Sequence, residues 1–166
     1  MTAAISFLTR QPGVDPSRIG VLGLSMGGEE AIGAAAADAR IRAVVAEGVT
    51  GRTAADKSRW LPHGLDGQLQ RGIDRLTYTL TDLLTPAALP TTLHDAAAAR
   101  SPFLLITAGT RPDEANAAAD LHAAAPSRVR TWNVPAAGHT HTLAADPAGW
   151  EAQVAGFLDN ALGTPD

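Results

Sequence analysis

The stretch Arg18-Ile19-Gly20-Val21-Leu22-Gly23-Leu24-Ser25-Met26-Gly27-Gly28 decides the fold. Residues 18–24 form a short β-branched and leucine run, entered from the turn material Pro12, Gly13, Asp15 and Pro16, and read as a buried strand. Residues 26–38 follow as an alanine-dense helix with Glu29 and Glu30 in its first turn, where the helix dipole favours them. Between the two lies a G-x-S-x-G pattern, Gly23 to Gly27. A nucleophile raised at the end of a strand needs a sharp, strained turn, and glycines two residues to either side keep side chains off the neighbouring strand and helix. Ser25 is therefore the candidate nucleophile, and the helix N-terminus behind it offers backbone N–H groups to a developing oxyanion.

The strand–helix alternation continues along the chain. Residues 41–46, 102–108 and 128–134 read as three more strands. Residues 113–125 read as a helix introduced by Pro112, and residues 147–162 place Trp150, Val154, Phe157, Leu158 and Ala161 on one helical face. Strands separated by helix-length segments pair in parallel through right-handed crossovers. The expected fold is thus α/β: a mostly parallel sheet of about four strands with helices on both faces, in a single domain over residues 1–166. Residues 1–10 read as the last turns of an amphipathic helix. Segment 47–101 is irregular, a helical insertion or crossover. Its centre carries Leu65, Leu69, Ile73, Leu76, Leu80 and Leu83 at helical spacing between Pro62 and Pro86, a stripe expected to pack as core in a plain crossover. Residues 85–101 are expected to be connector with one short helix.

Composition narrows the function classes. The 166 residues are 45% hydrophobic and 18% charged, enough apolar side chain for one packed domain and too little charge for a disordered chain. A net charge of −4 without a basic run argues against nucleic-acid or anionic-membrane binding, and no segment is long and apolar enough to span a bilayer. With no cysteine there is no disulfide framework, thiolate nucleophile or thiolate-ligated metal. Nothing resembles a secretory leader, so the cytoplasm is the default expectation.

A serine nucleophile needs a base, and the base an orienting carboxylate. His139, in the glycine-containing loop after the fourth strand, is the expected base, with His141 its nearest rival. His63 and His94 fall in the irregular segment and His122 within a helix, where solvated or packing roles fit better. Asp113, in the loop after the third strand, is the expected carboxylate. Glu114 beside it and Glu47 at the end of the second strand remain alternatives. A dinucleotide site is disfavoured because Gly23 and Gly27 do not make G-x-G-x-x-G, and no lysine completes a phosphate loop. The pair His139 and His141 lacks the further ligands a metal site requires.

The order Ser25, Asp113, His139, each on a loop after a strand, resembles the C-terminal part of the α/β-hydrolase fold, as in bacterial esterases related to dienelactone hydrolases. Gly23-Leu24-Ser25-Met26-Gly27-Gly28 is similar to that superfamily's nucleophile elbow. Residues 104–114 resemble its acid-bearing loop, and residues 134–162 its histidine loop and final helix. The resemblance implies a catalytic triad of Ser25 as nucleophile, His139 as general base and acid, and Asp113 as its partner. It further implies the Met26 backbone N–H as an oxyanion donor, a small-molecule ester as substrate, and no cofactor or metal. The superfamily's sheet normally has eight strands, of which these four correspond to the last. By that resemblance the N-terminal half, with the second oxyanion donor, is absent. Two expectations follow. Turnover is weak, since one lost donor costs about 10²–10³-fold, and the strand at 18–24 has an unpaired side, capped by residues 1–10, paired with another chain such as a second copy, or left as an aggregation-prone edge. The alternative is an impaired remnant that serves as a binding domain.

Overall fold

The computed structural model describes residues 1–84 and 90–163. Four strands, β1 (Ile19–Leu24), β2 (Ile41–Glu47), β3 (Phe103–Ala108) and β4 (Val129–Val134), lie side by side in chain order, and every neighbouring pair is parallel. Central β2 and β3 are buried along nearly their whole length, while β1 and β4 are each buried at only two positions. This difference follows from position, because a central parallel strand is covered on both faces.

Eight helices complete the described chain: α1 (Thr2–Leu8), α2 (Met26–Ala37), α3 (Ala54–Trp60), α4 (Leu65–Leu84), α5 (Thr92–Ala98), α6 (Pro112–Ala124), α7 (Thr142–Ala145) and α8 (Pro147–Leu162). One core layer joins Ile5, Ile32, Trp60, Ala96 and Leu121 of α1, α2, α3, α5 and α6 to Val44 and Leu105 of the sheet. The opposite layer packs Val154 and Phe157 of α8 on Val45, Leu104 and Ile106. Strands added one after another in a single direction through right-handed crossovers put every crossover helix on one face, which leaves the other face to α8. The β1–β2 register shifts between Ile19↔Ile41 and Gly20↔Ala43. Arg42 is the extra residue, so Ile41 joins the first core layer and Ala43 the second.

Helix starts follow local chemistry. The Thr53 and Thr91 hydroxyls accept from the Asp56 and His94 amides at the heads of α3 and α5. Asp146 accepts from the Gly149 amide at 2.9 Å, and Pro147 occupies the first turn of α8.

Two expectations change here. Segment 47–101 holds α3 in addition to the expected central helix, α4, and the short helix expected within 85–101, α5; the expected connector at 85–89 lies outside the described residues. The stripe of α4 is not core: Leu65 is 83% exposed, and Leu69, Ile73, Leu76, Leu80 and Leu83 are each at least half exposed. Periodicity reports that a helix has an apolar face; it does not supply what covers it. Helix α4 rests on α3 by its other side, with the Arg71 guanidinium donating to the carbonyls of Leu61 and Pro62. Strand β1 pairs with β2 and, among the described residues, has no strand on its other side; its Leu22 and Leu24 are exposed.

Candidate active site

At the carboxyl end of β1 the chain turns into α2 through Ser25, whose φ of 52° and ψ of −124° lie outside the ordinary regions for a side-chain-bearing residue. The two flanking glycines are not equivalent. A Cβ on Gly23 would lie 2.2 Å from the Gly27 carbonyl oxygen, so no other residue fits there, whereas a Cβ on Gly27 would meet open space. The second tight position is Gly28, where a Cβ would press on Ala46 and Val49 at 3.2–3.3 Å. Steric need thus falls on Gly23 and Gly28 rather than on the symmetric pair. The Ser25 amide donates to the Glu47 carbonyl at 2.8 Å, which ties the turn to β2. Met26 is the first residue of α2, so its N–H has no acceptor within the helix.

His139 comes from the loop after β4. Its Nε2 lies 2.9 Å from Ser25 Oγ and its Nδ1 2.7 Å from Glu114 Oε1. A carboxylate only accepts, so the hydrogen sits on Nδ1 and Nε2 is left to accept from the serine hydroxyl. The side chain of Glu114 is 0% exposed, and its Oε2 accepts from the Ala108 amide at 2.8 Å, so the carboxylate is held at both oxygens. Among the described residues, Ser25 and Thr140 are the two non-glycine residues with positive φ; the first bonds the imidazole and the second follows His139 in the chain. Strain of this kind persists only where the surroundings over-determine the backbone.

The carboxylate expected at this position, Asp113, is elsewhere. Arg111 grips it with two hydrogen bonds, 3.1 Å from Nε and 2.7 Å from Nη2. Burial raises the Asp113 carboxyl, but the Arg111 guanidinium outweighs it and holds the group below its ordinary range. Glu47 does not meet His139 either; its carboxylate accepts from the Thr142 amide and the Trp150 indole. The other histidines are not drawn in. His141 is exposed with Nδ1 against the His139 carbonyl, His122 Nδ1 meets the Val129 carbonyl, and His94 sits beside Asp95. Among the described residues no three His, Cys, Asp or Glu side chains are grouped to hold a metal ion.

Two contributors were not singled out from sequence. Gly48 has φ +72°, and a Cβ there would lie 2.8 Å from His139 Cε1; its only sequence signal is a glycine directly after a strand end. Glu29, buried behind the elbow in α2, accepts from the Thr50 amide at 3.0 Å. Burial raises its carboxyl above the usual range, against the pull of that N–H and of Lys57.

Known proteins resemble this chain in sequence or fold. The family model described as BAAT / Acyl-CoA thioester hydrolase C terminal matches residues 2–140. A thiohydrolase, aneE, from Aspergillus aculeatus is 50% identical over 42 residues, 25% of this chain and 13% of its own. Among solved structures, the α/β hydrolase GrgF from Penicillium sp. sh18 superposes with TM-score 0.70 at 15% identity, over 98% of this chain and 70% of its own. The esterase Pf2001 from Pyrococcus furiosus gives 0.64 at 21% identity, over 98% of this chain and 60% of its own. The acylaminoacyl peptidase from Pyrococcus horikoshii gives 0.69 at 16%, over 97% and 27%. The chain therefore spans about 60% of the length of the esterase and a smaller part of the thiohydrolase and the peptidase. At these identities the structural likenesses establish the fold, which is that of the α/β hydrolases.

Proposed function

Because the chain belongs to the BAAT / acyl-CoA thioester hydrolase C-terminal family, we propose that it acts as a serine hydrolase on a carboxylic ester or thioester, through an acyl-Ser25 intermediate. The observation that carries this reading is the continuous relay Glu114–His139–Ser25, with hydrogen bonds of 2.7 and 2.9 Å.

In this mechanism His139 Nε2 takes the hydroxyl proton as Ser25 Oγ attacks the acyl carbon. Negative charge gathers on the former carbonyl oxygen, which the Met26 N–H faces from the head of α2. Glu114 holds the imidazole tautomer and stabilises the imidazolium. Collapse breaks the bond to the leaving oxygen or sulfur, which receives the proton from Nε2. Water then attacks the acyl-serine with His139 again as base, and the acid is released as Ser25 regains its proton. Asp113, engaged by Arg111, takes no part.

The test is a fluorophosphonate probe together with turnover of p-nitrophenyl acetate and an acyl thioester. We expect labelling at Ser25, abolished in Ser25→Ala. Glu114→Gln should lower kcat by about 10⁴-fold, as expected when the imidazole loses its tautomer-fixing partner, while Asp113→Asn stays within about fivefold of the wild type. A folded protein that resists the probe would overturn the reading in favour of a binding role. The reverse order of the two carboxylate variants would restore Asp113 as the partner.

A further inference from the structure

We propose that Glu47 is a positioning residue that sets His139 against Ser25; the proposal rests on the acyl-serine reading above. Glu47 is the last residue of β2, in register with Leu24 of β1 and Ile106 of β3, and so lies between the strand that leads to the nucleophile and the strand that leads to the acid. It is 2% exposed, and its carbonyl and both carboxylate oxygens have partners. Its carbonyl accepts from the Ser25 amide at 2.8 Å. Its Oε1 accepts from the Thr142 amide at 3.1 Å, three residues beyond His139, and its Oε2 from the Trp150 indole N–H at 3.3 Å.

The loop carrying His139 is thus pinned at two ends. At its near end the Thr110 hydroxyl donates to the Ala137 carbonyl at 2.8 Å, and at its far end the Glu47 carboxylate holds the start of α7 and the first turn of α8. Both partners of the Glu47 side chain are N–H donors, and they reach different oxygens, so the carboxylate answers each with its own acceptor. The next residue supplies the clearance: Gly48, in the left-handed region, leaves the imidazole edge the space a Cβ would take. One strand end therefore fixes the serine amide, the loop and the room for the ring. An imidazole displaced by about 1 Å loses roughly a hundredfold in rate, so this grip acts on chemistry without touching substrate.

The test uses Glu47→Gln and Trp150→Phe in the whole chain, with three readouts: far-ultraviolet dichroism for folding, the downfield imidazole N–H resonance of His139, and kcat against KM on p-nitrophenyl acetate. A glutamine offers its oxygen to one donor and turns an NH₂ toward the other. We expect Glu47→Gln to fold, to shift or broaden the His139 resonance, and to lower kcat about tenfold to a hundredfold with KM within about twofold. Trp150→Phe, which removes one of the two donors, should move the same resonance less. A folded Glu47→Gln with unchanged resonance and kcat overturns the proposal; if that variant does not fold, a folded Trp150→Phe with an unchanged resonance does so. The resonance requires no turnover. A Ser25→Ala protein that kept wild-type activity would therefore defeat the acyl-serine reading and leave the Glu47 result standing by itself.

Discussion

Helix α8 lays Val154 and Phe157 on Val45, Leu104 and Ile106, whereas α4, with a longer and more regular apolar stripe, leaves Leu65, Leu69, Ile73, Leu76, Leu80 and Leu83 in solvent. Read as patterns the two helices are alike, and α4 is the stronger. They differ in what the topology offers them. The crossovers occupy one face of the sheet, so α8 returns to an empty face and its stripe is covered. Helix α4 sits outside α3, one layer removed from the strands, and what holds it is polar, the Arg71 guanidinium on two carbonyls. Amphipathicity therefore measures a helix's demand for cover, and architecture decides whether the demand is met.

That contrast can be broken by substitution. Phe157 is 4% exposed, so Phe157→Ala should cost about 3–5 kcal/mol in urea unfolding, whereas Leu76→Ala in α4 should stay within about 0.5 kcal/mol. Equal losses would mean that α4's stripe is covered in solution. Arg71→Ala should cost about 1 kcal/mol, and amide hydrogen exchange should speed up in α4 before it does in α8. The smallest effect on stability is expected from Leu69→Gln, Ile73→Gln and Leu76→Gln combined. Binding of a hydrophobic dye should fall while the melting temperature moves by no more than about 3 °C. A large drop in melting temperature would place the stripe in an interior.

The same distinction separates what could be read from the residues and what could not. The strands were legible because β-branched and leucine runs bounded by glycine and proline have few other uses, and the elbow because a strained serine turn needs glycine at 23. Which of the two carboxylates meets His139 was not. Asp113 and Glu114 are consecutive in the first turn of α6, about 100° apart around the axis, so only one can face the rim of β3. Which one depends on Arg111 folding back onto Asp113 and on the Ala108 amide waiting for the second oxygen of Glu114, two contacts that no local pattern encodes. Gly48 was obscure for a similar reason: its neighbour in space, His139, is 91 residues away along the chain.

The strands lie across the sheet in the order in which a ribosome would make them. A nascent chain can dock each one on its predecessor without reopening what is already paired, so Ser25 emerges first, Glu114 next and His139 last. The relay cannot close before β4 has seated its loop. Under the acyl-serine reading proposed above, a chain without that loop therefore has no base beside Ser25.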